Sequence, residues 1–449
     1  MNNWLFLKFK MFAEFFLPQA VFQRMAEEGP QRYFFHTGWN LSGRILNMAI
    51  SFLVSIYVVR YLGPSNWGLL SYVVSFTGIF SFLASLGVDN ILYVDLVSEP
   101  ENSARLLGTG FMLKAAGALL SFVLIMVSAQ VVHAGFYTAV LMAIVGGALF
   151  FQPFNVINLY FQAKVKSKPT VINSVAIGIF LASLKVLLVF LGLSLKYFAL
   201  LYLIEGVLAA AGYLFIYKKY GQKIFNWKFD FKLAKVMLGQ SWPLILSTGF
   251  VYVYSRIDQV MLKSMLDQSA VGLYDVGVRL SEVWYVFPTI IIGSLAPALI
   301  NAKKIGQEMY FKRLAKLYSF AIYFALIFIL PLALFSKFIV NLLYGGAFIA
   351  AAGVLSIYVW AGVSVSVGSV VNQYLINEKY TKIALFLNFF GMATNILLNL
   401  YLIPKYGING AAMATLISYS LIPVSVIFFK RSRYQLRLIL DGLFLKTVI

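Results

Sequence analysis

Five basic side chains, Arg44, Lys114, Lys185, Arg256 and Arg279, stand inside long apolar runs. The chemistry open to them is electrostatic. A charge at the centre of a membrane helix costs about 2.5–3.5 kcal/mol on insertion scales, so it persists where it faces a wet cavity or a partner. Helical spacing shows how the polar groups are aimed. Arg44, Asn47, Ser51 and Ser55 share one face, as do Ser71, Ser75, Gly78, Ser85 and Asp89. Asp275, Arg279 and Glu282 stack at i, i+4 and i+7. Arg256 and Lys263 share a face, with Asp258 pointing nearly the opposite way. Together these groups sketch a hydrophilic cavity, with Arg44 and Arg256 its foremost candidates. Plainer roles stay open beside it. A Ser/Gly stripe also serves close helix packing. Asn388, Asn395 and Asn399 read as interhelical hydrogen bonding, Asp275–Arg279–Glu282 as a self-neutralising network, and Arg256 as half of an ion pair. Lys185 has no evident partner.

Other chemistries are excluded. The chain has no cysteine, so no disulfide and no thiol nucleophile or ligand can form. Its two histidines, His36 and His133, are too far apart in sequence for a metal motif. The phosphate-binding pattern G-x-x-x-x-G-K-[ST] is absent. No cofactor or metal is expected. Work must be driven by an ion, the membrane potential, the substrate's own gradient or a separate ATPase.

The elements that must position these groups follow from composition. Of 449 residues, 61% are hydrophobic and only 12% charged, against about 25% charged in soluble domains. Apolar segments long enough to cross a hydrocarbon layer of about 30 Å recur through the chain. They predict an all-α polytopic membrane protein of about twelve spans: 40–60, 67–87, 106–132, 136–162, 170–193, 196–217, 239–262, 270–300, 317–336, 350–373, 382–402 and 408–429. The net charge of +20 is sorted between the two ends of these spans, which argues against nucleic acid as partner. One end gathers the basic residues of the N-terminal segment, of 164–168, 218–235, 303–316 and 379–382, and of the tail. The other holds only Arg60, Lys196, Lys263, Lys337 and Lys405. Basic loops stay cytoplasmic, so both termini are expected inside. Residues 1–36 read as an interfacial extension, 37–217 as a first six-helix lobe, 218–238 as a basic linker, 239–429 as a second lobe and 430–449 as a basic tail.

An internal repeat supports two lobes. Around the far turn of the first hairpin, Leu62, Ser65, Gly68 and Leu69 are echoed by Leu266, Ser269, Gly272 and Leu273. Parallel repeats with a site between them are a plan of secondary transporters.

The runs Thr37–Arg44, Val59–Pro64, Trp67–Tyr72, Leu86–Asp89 and Leu106–Thr109 resemble the opening of the Wzx-type O-antigen and polysaccharide flippases. Trp242–Leu244, Arg256–Gln259, Val271–Tyr274, Arg279–Trp284 and Pro297 continue the resemblance through the second lobe. The resemblance implies the multidrug/oligosaccharidyl-lipid/polysaccharide (MOP) exporter fold, two six-helix lobes in a V. It implies a transporter, not an enzyme, in the bacterial inner membrane. The substrate would be an oligosaccharide on undecaprenyl diphosphate, moved from the inner to the outer leaflet by alternating access. The sugar and diphosphate would enter the cavity while the prenyl chain stays in membrane lipid. Arg44, Arg256 and Arg279, with Lys114, would draw in the diphosphate, because guanidinium forks match phosphate oxygens. Arg60 would receive it at the far end. Asp89, Asp258, Asp275 and Glu282 would hold these cations or carry a coupling H⁺ or Na⁺. A polysaccharide polymerase and a chain-length regulator are the expected protein partners. Rival readings are a lipid II flippase, a drug/cation antiporter of the MATE type, and a membrane-embedded glycan polymerase or glycosyltransferase; the short outer loops disfavour the last.

Overall fold

The computed structural model describes residues 28–444. The expected interfacial extension lies outside the described residues as far as residue 27, and residues 28–36 open the first helix. Among the described residues the chain is helical and contains no strand. Lipid offers the backbone no hydrogen-bond partner, so each span must satisfy its own N–H and C=O groups.

Helix α1 (Glu28–Ser85) holds two spans. Straight, its 58 residues would run about 87 Å, far beyond a bilayer. The chain turns at Gly63 (φ 69°, ψ 173°), with Pro64 immediately after it. The first lobe continues with α2 (Val88–Ser98), α3 (Ser103–Val131), α4 (Phe136–Gly147), α5 (Asn155–Ala163), α6 (Lys168–Phe190) and α7 (Leu195–Lys219). A 3₁₀ segment over Ala148–Phe154 joins α4 to α5 as one span.

The second lobe opens with α8 (Phe231–Met265). The expected span 270–300 is broken into α9 (Gln268–Glu282), α10 (Val286–Ser294) and α11 (Ala296–Ile305). There follow α12 (Gln307–Leu334), α13 (Ser336–Tyr344), α14 (Ala351–Tyr358), α15 (Ala361–Asn377), α16 (Thr381–Val424) and α17 (Tyr434–Leu443). Helix α16 again holds two spans, turning at Gly407 (φ 59°, ψ −136°). Among the described residues, ten helical stretches are long and apolar enough to cross a membrane, and two of them double back, which gives twelve passes.

Three segments between or beyond the expected spans carry helix. The 88–105 connection contains α2, the 337–349 stretch is largely α13, and the basic tail contains α17. Each has an apolar face with somewhere to bury it. Val88, Leu92 and Leu96 of α2 pack into a cluster with Leu106, Val156 and Met237. Tyr318 Oη donates to Gln435 Oε1 of α17 at 2.6 Å, and Tyr323 Oη to the Leu443 carbonyl at 2.8 Å.

The turns at Gly63 and Gly407 lie at what we call the hinge end; the basic loops lie at the opposite, basic end. The linker is strapped to the first lobe at the basic end. Lys228 N–H donates to the Ala104 carbonyl, Asp230 N–H to Thr109 Oγ1, and Arg105 meets Asp230 at 2.6 Å. Asp230 also caps α8, accepting from Leu233 N–H at 2.9 Å.

The lobes meet most closely at the hinge end. A Cβ on Gly68 would collide with the Gln268 carbonyl and the Gly272 amide, and one on Gly272 with the Pro64 carbonyl and the Gly68 amide. The two glycines of the internal repeat thus touch backbone to backbone. Close by, Gln268 Nε2 donates to Ser65 Oγ at 2.5 Å, and Arg60 Nη2 to the Leu342 carbonyl at 2.5 Å.

Candidate functional site

Below the hinge-end contact a polar network crosses the lobe boundary. Asp275 of α9 is its centre: it accepts from Arg279 Nε at 2.5 Å, Trp67 Nε1 at 3.0 Å and Gln259 Nε2 at 3.1 Å. Ser75 Oγ of α1 donates to Gln259 Oε1 at 2.5 Å. The Arg279 guanidinium also sits over the Trp67 ring, 4.7 Å from its centroid, where the ring's negative face favours a cation. The Ser75 stripe therefore faces the other lobe; Ser71 and Ser75 are both buried there.

Around this network the ionisable groups converge. Lys185 of α6 lies in electrostatic range of Glu205 of α7 and of Arg279. Tyr202 is in range of Arg279, Glu205, Asp275 and Arg256 together. Glu282 accepts from Tyr358 Oη at 2.7 Å and feels Arg256, Asp275 and Arg279. The Arg279 side chain is 37% exposed although its partner Asp275 is buried, so it fronts a space that water can enter. Lys185 and Glu205 thus bring spans five and six to this cluster.

From Val283 onward the first span parts from the second lobe, while the second span stays packed on α8: a Cβ on Gly249 would meet the Phe82 ring and one on Gly87 the Ser241 carbonyl. A crevice of about 570 Å³ runs between Ile45, Met48 and Phe52 of α1 and Trp284, Phe287 and Phe328 of the second lobe. Its walls are apolar and it opens below the charged cluster, on the basic-end side. On the first-span side the protein is closed at the hinge end and open beneath it; on the second-span side the lobes stay in contact toward the basic end.

The other candidate residues fall elsewhere. Arg44 is exposed, on the part of α1 nearer the basic end, with no ion-pair partner among the described residues. Arg60 is engaged with the Leu342 carbonyl and ties the lobes together. Lys114 is 1% exposed and paired with Asp89 at 2.7 Å inside the first lobe. Of the acidic groups expected to hold a cation or carry a coupling ion, Asp89 and Asp258 meet no arginine among the described residues. Asp89 holds Lys114 because α2 brings it against α3. Asp258, 4% exposed, accepts from Tyr274 Oη at 2.6 Å, Asn399 Nδ2 at 2.5 Å and Thr415 Oγ1 at 2.5 Å, all neutral groups. Asn399 Nδ2 also reaches Asn395 Oδ1, while Asn399 Oδ1 is buried with no hydrogen-bond partner. An oxygen-rich cage of this kind suits a proton or a small hard cation.

Glu205 went unremarked in the sequence although its signal was present: it is the one acidic residue in α7. Trp67 and Gln259 stood in the motifs of the resemblance, but their contacts, like that of Tyr358, carried no signal, because the partners Asp275, Ser75 and Glu282 lie elsewhere along the chain.

The profile of the family described as "Polysaccharide biosynthesis protein" matches residues 36–303, and that described as "MatE" matches residues 243–401. The chain is 24% identical over 195 residues to a probable low-salt glycan biosynthesis flippase, Agl15, of Haloferax volcanii; the match covers 42% of this chain and only 41% of that relative. Two solved structures share the fold. The lipid II flippase MurJ in an inward closed conformation matches with a TM-score of 0.68 and 16% identity, over 92% of this chain and 91% of its own. An inward-facing MATE-family multidrug transporter of the MOP superfamily matches with a TM-score of 0.67 and 15% identity, over 87% and 95%. With twelve spans in the MOP-superfamily fold and its family profile matched over more than half its length, the chain belongs to the polysaccharide biosynthesis protein family.

Proposed function

We propose that the chain is a flippase for a lipid-linked glycan, working by alternating access. The observation that carries this reading is the set of ionisable groups converging between the lobes directly above an apolar crevice. A lipid-linked sugar diphosphate needs such a pairing: cations for its head and hydrocarbon walls for its tail. Arg256 and Arg279 would hold the diphosphate, with Lys185 facing them from the first lobe and Arg44 meeting it at the basic-end mouth. Glu205, Asp275 and Glu282 keep the cluster near neutrality, so the cations are organised without the penalty of unpaired charge. The basic end is taken as cytoplasmic, which makes the present conformation open inward and sealed outward by Trp67, Arg60 and the Gly68–Gly272 contact. The substrate is proposed as an oligosaccharide on undecaprenyl diphosphate, moved to the outer leaflet of a bacterial inner membrane. Asp258 and its cage are proposed to carry the coupling H⁺ or Na⁺.

The test is complementation of a strain lacking its O-unit flippase, scored for surface glycan. The wild-type chain should restore export, and an Arg256→Gln/Arg279→Gln double variant of equal abundance should not. Undiminished export by the double variant would remove the cationic-cavity reading. A second reading, drug/cation antiport, is favoured by the MatE match and by the buried carboxylate Asp258. It predicts drug resistance, without glycan export, in the same host.

A further inference from the structure

A second cavity, open on one side, is lined entirely by the second lobe, in its basic-end half. It holds about 450 Å³ between α8, α15 and both arms of α16, within the size range of small-ligand sites. Its walls include Thr248, Tyr254, Gly368, Asn372 and Tyr419, and no charged residue. Thr248, Tyr254, Asn372 and Tyr419 make no side-chain hydrogen bond to the protein among the described residues, and none counts among the buried polar atoms left without a partner. Their donors and acceptors are therefore turned toward space that a ligand or water can fill. Tyr254 and Tyr419 meet edge to face at 5.3 Å and offer aromatic surface beside those polar groups.

Through its wall the cavity abuts the charged cluster. The Tyr419 ring touches the Tyr358 ring, and Tyr358 Oη donates to Glu282, which lies in range of Arg256. A molecule with an anionic part at Arg256 and Arg279 could extend a neutral part toward this chamber.

We propose that this chamber is a binding subsite for the uncharged sugar residues of the substrate. The proposal rests on the glycan reading above and adds to it a place for the head group beyond the diphosphate. Neutral hydroxyl and amide groups beside aromatic faces match sugar hydroxyls and the apolar faces of pyranose rings. With no cation or carboxylate on its walls, the chamber offers nothing to the diphosphate itself.

The full chain in detergent, probed separately with inorganic pyrophosphate and with free neutral di- and trisaccharides, provides the test. Since the chain has no cysteine, Ala384→Cys, at a wall position given no part in binding, and, separately, Arg44→Cys each introduce its sole thiol. A saturable sugar should slow maleimide labelling at position 384, about tenfold at ten times its Kd, and leave position 44 unaffected. Gly368→Leu, whose added Cβ meets open space, should abolish sugar protection while leaving pyrophosphate binding intact. Arg256→Gln/Arg279→Gln should do the reverse. No protection by any sugar, or protection that survives Gly368→Leu, overturns the subsite. Failure of the double arginine variant to weaken pyrophosphate binding counts against the flippase reading instead, so the two failures are distinguishable.

Discussion

Asp258 is buried among neutral donors, whereas Asp89 and Asp275 each have a cation, and substitutions should separate these cases. Asp258→Asn keeps the side chain's shape and one carbonyl acceptor, so the protein should remain folded. Transport in proteoliposomes should then lose its dependence on an imposed proton or sodium gradient; an unchanged dependence would remove Asp258 from coupling. Asp89→Asn leaves Lys114 buried without its charge partner, a loss of about 3–5 kcal/mol by analogy with broken buried pairs. Lys114→Met should cost less, because the Asp89 side chain is 36% exposed and stays hydrated. Denaturant unfolding in detergent should rank Asp89→Asn below Lys114→Met. Individual residues were unevenly legible. The Arg279–Asp275 pair could be read from i, i+4 spacing, because one helix fixes both groups. The cage around Asp258 could not, since Asn399 and Thr415 arrive from α16, whose packing on α8 no local pattern encodes.

Elements were read best where lipid alone dictates them. Apolar length fixed the spans, because a backbone in hydrocarbon has to be helical. It missed α2, α13 and α17, which are too short to cross and are held by packing. It also missed the breaks around Val283–Tyr285 and Leu295 in the eighth span, where apolar content stays high across the interruption. At the first hairpin the break has a backbone cause. Gly63→Ala should cost about 1–3 kcal/mol, since that φ/ψ combination is essentially confined to glycine. The cost is conformational rather than steric, as nothing lies within 4 Å of the added carbon; unfolding midpoints in detergent would measure it. At the basic end, Asp230 is held below the ordinary aspartate range, chiefly by the Leu233 backbone N–H and then by Arg105. Its contribution to docking the linker is complete above the unfolded value of about 3.9 and fades as pH falls through the lower folded one. Hydrogen exchange at Leu233 should therefore be faster in Asp230→Asn than in wild type at neutral pH, and the difference should vanish in acid.

For the whole molecule, alternating access requires the hinge-end contact to open. Ser65→Cys/Gln268→Cys places the chain's only two thiols where a hydrogen bond now joins the lobes. Oxidation should stop glycan transport and reduction restore it; transport that continues in the crosslinked protein would contradict rocking of one lobe against the other.

The Gly68–Gly272 contact has a symmetry of its own. Each glycine presses on the other's amide and on the carbonyl one turn before it, Pro64 in one case and Gln268 in the other. This is how an isologous dimer contact is built, a patch meeting its own counterpart. A methyl wedge on either side should therefore prise the same seam. Gly68→Ala and Gly272→Ala should bias the conformational equilibrium in one direction, and the pair together should add little beyond either alone, as spin-label distances across that end would register.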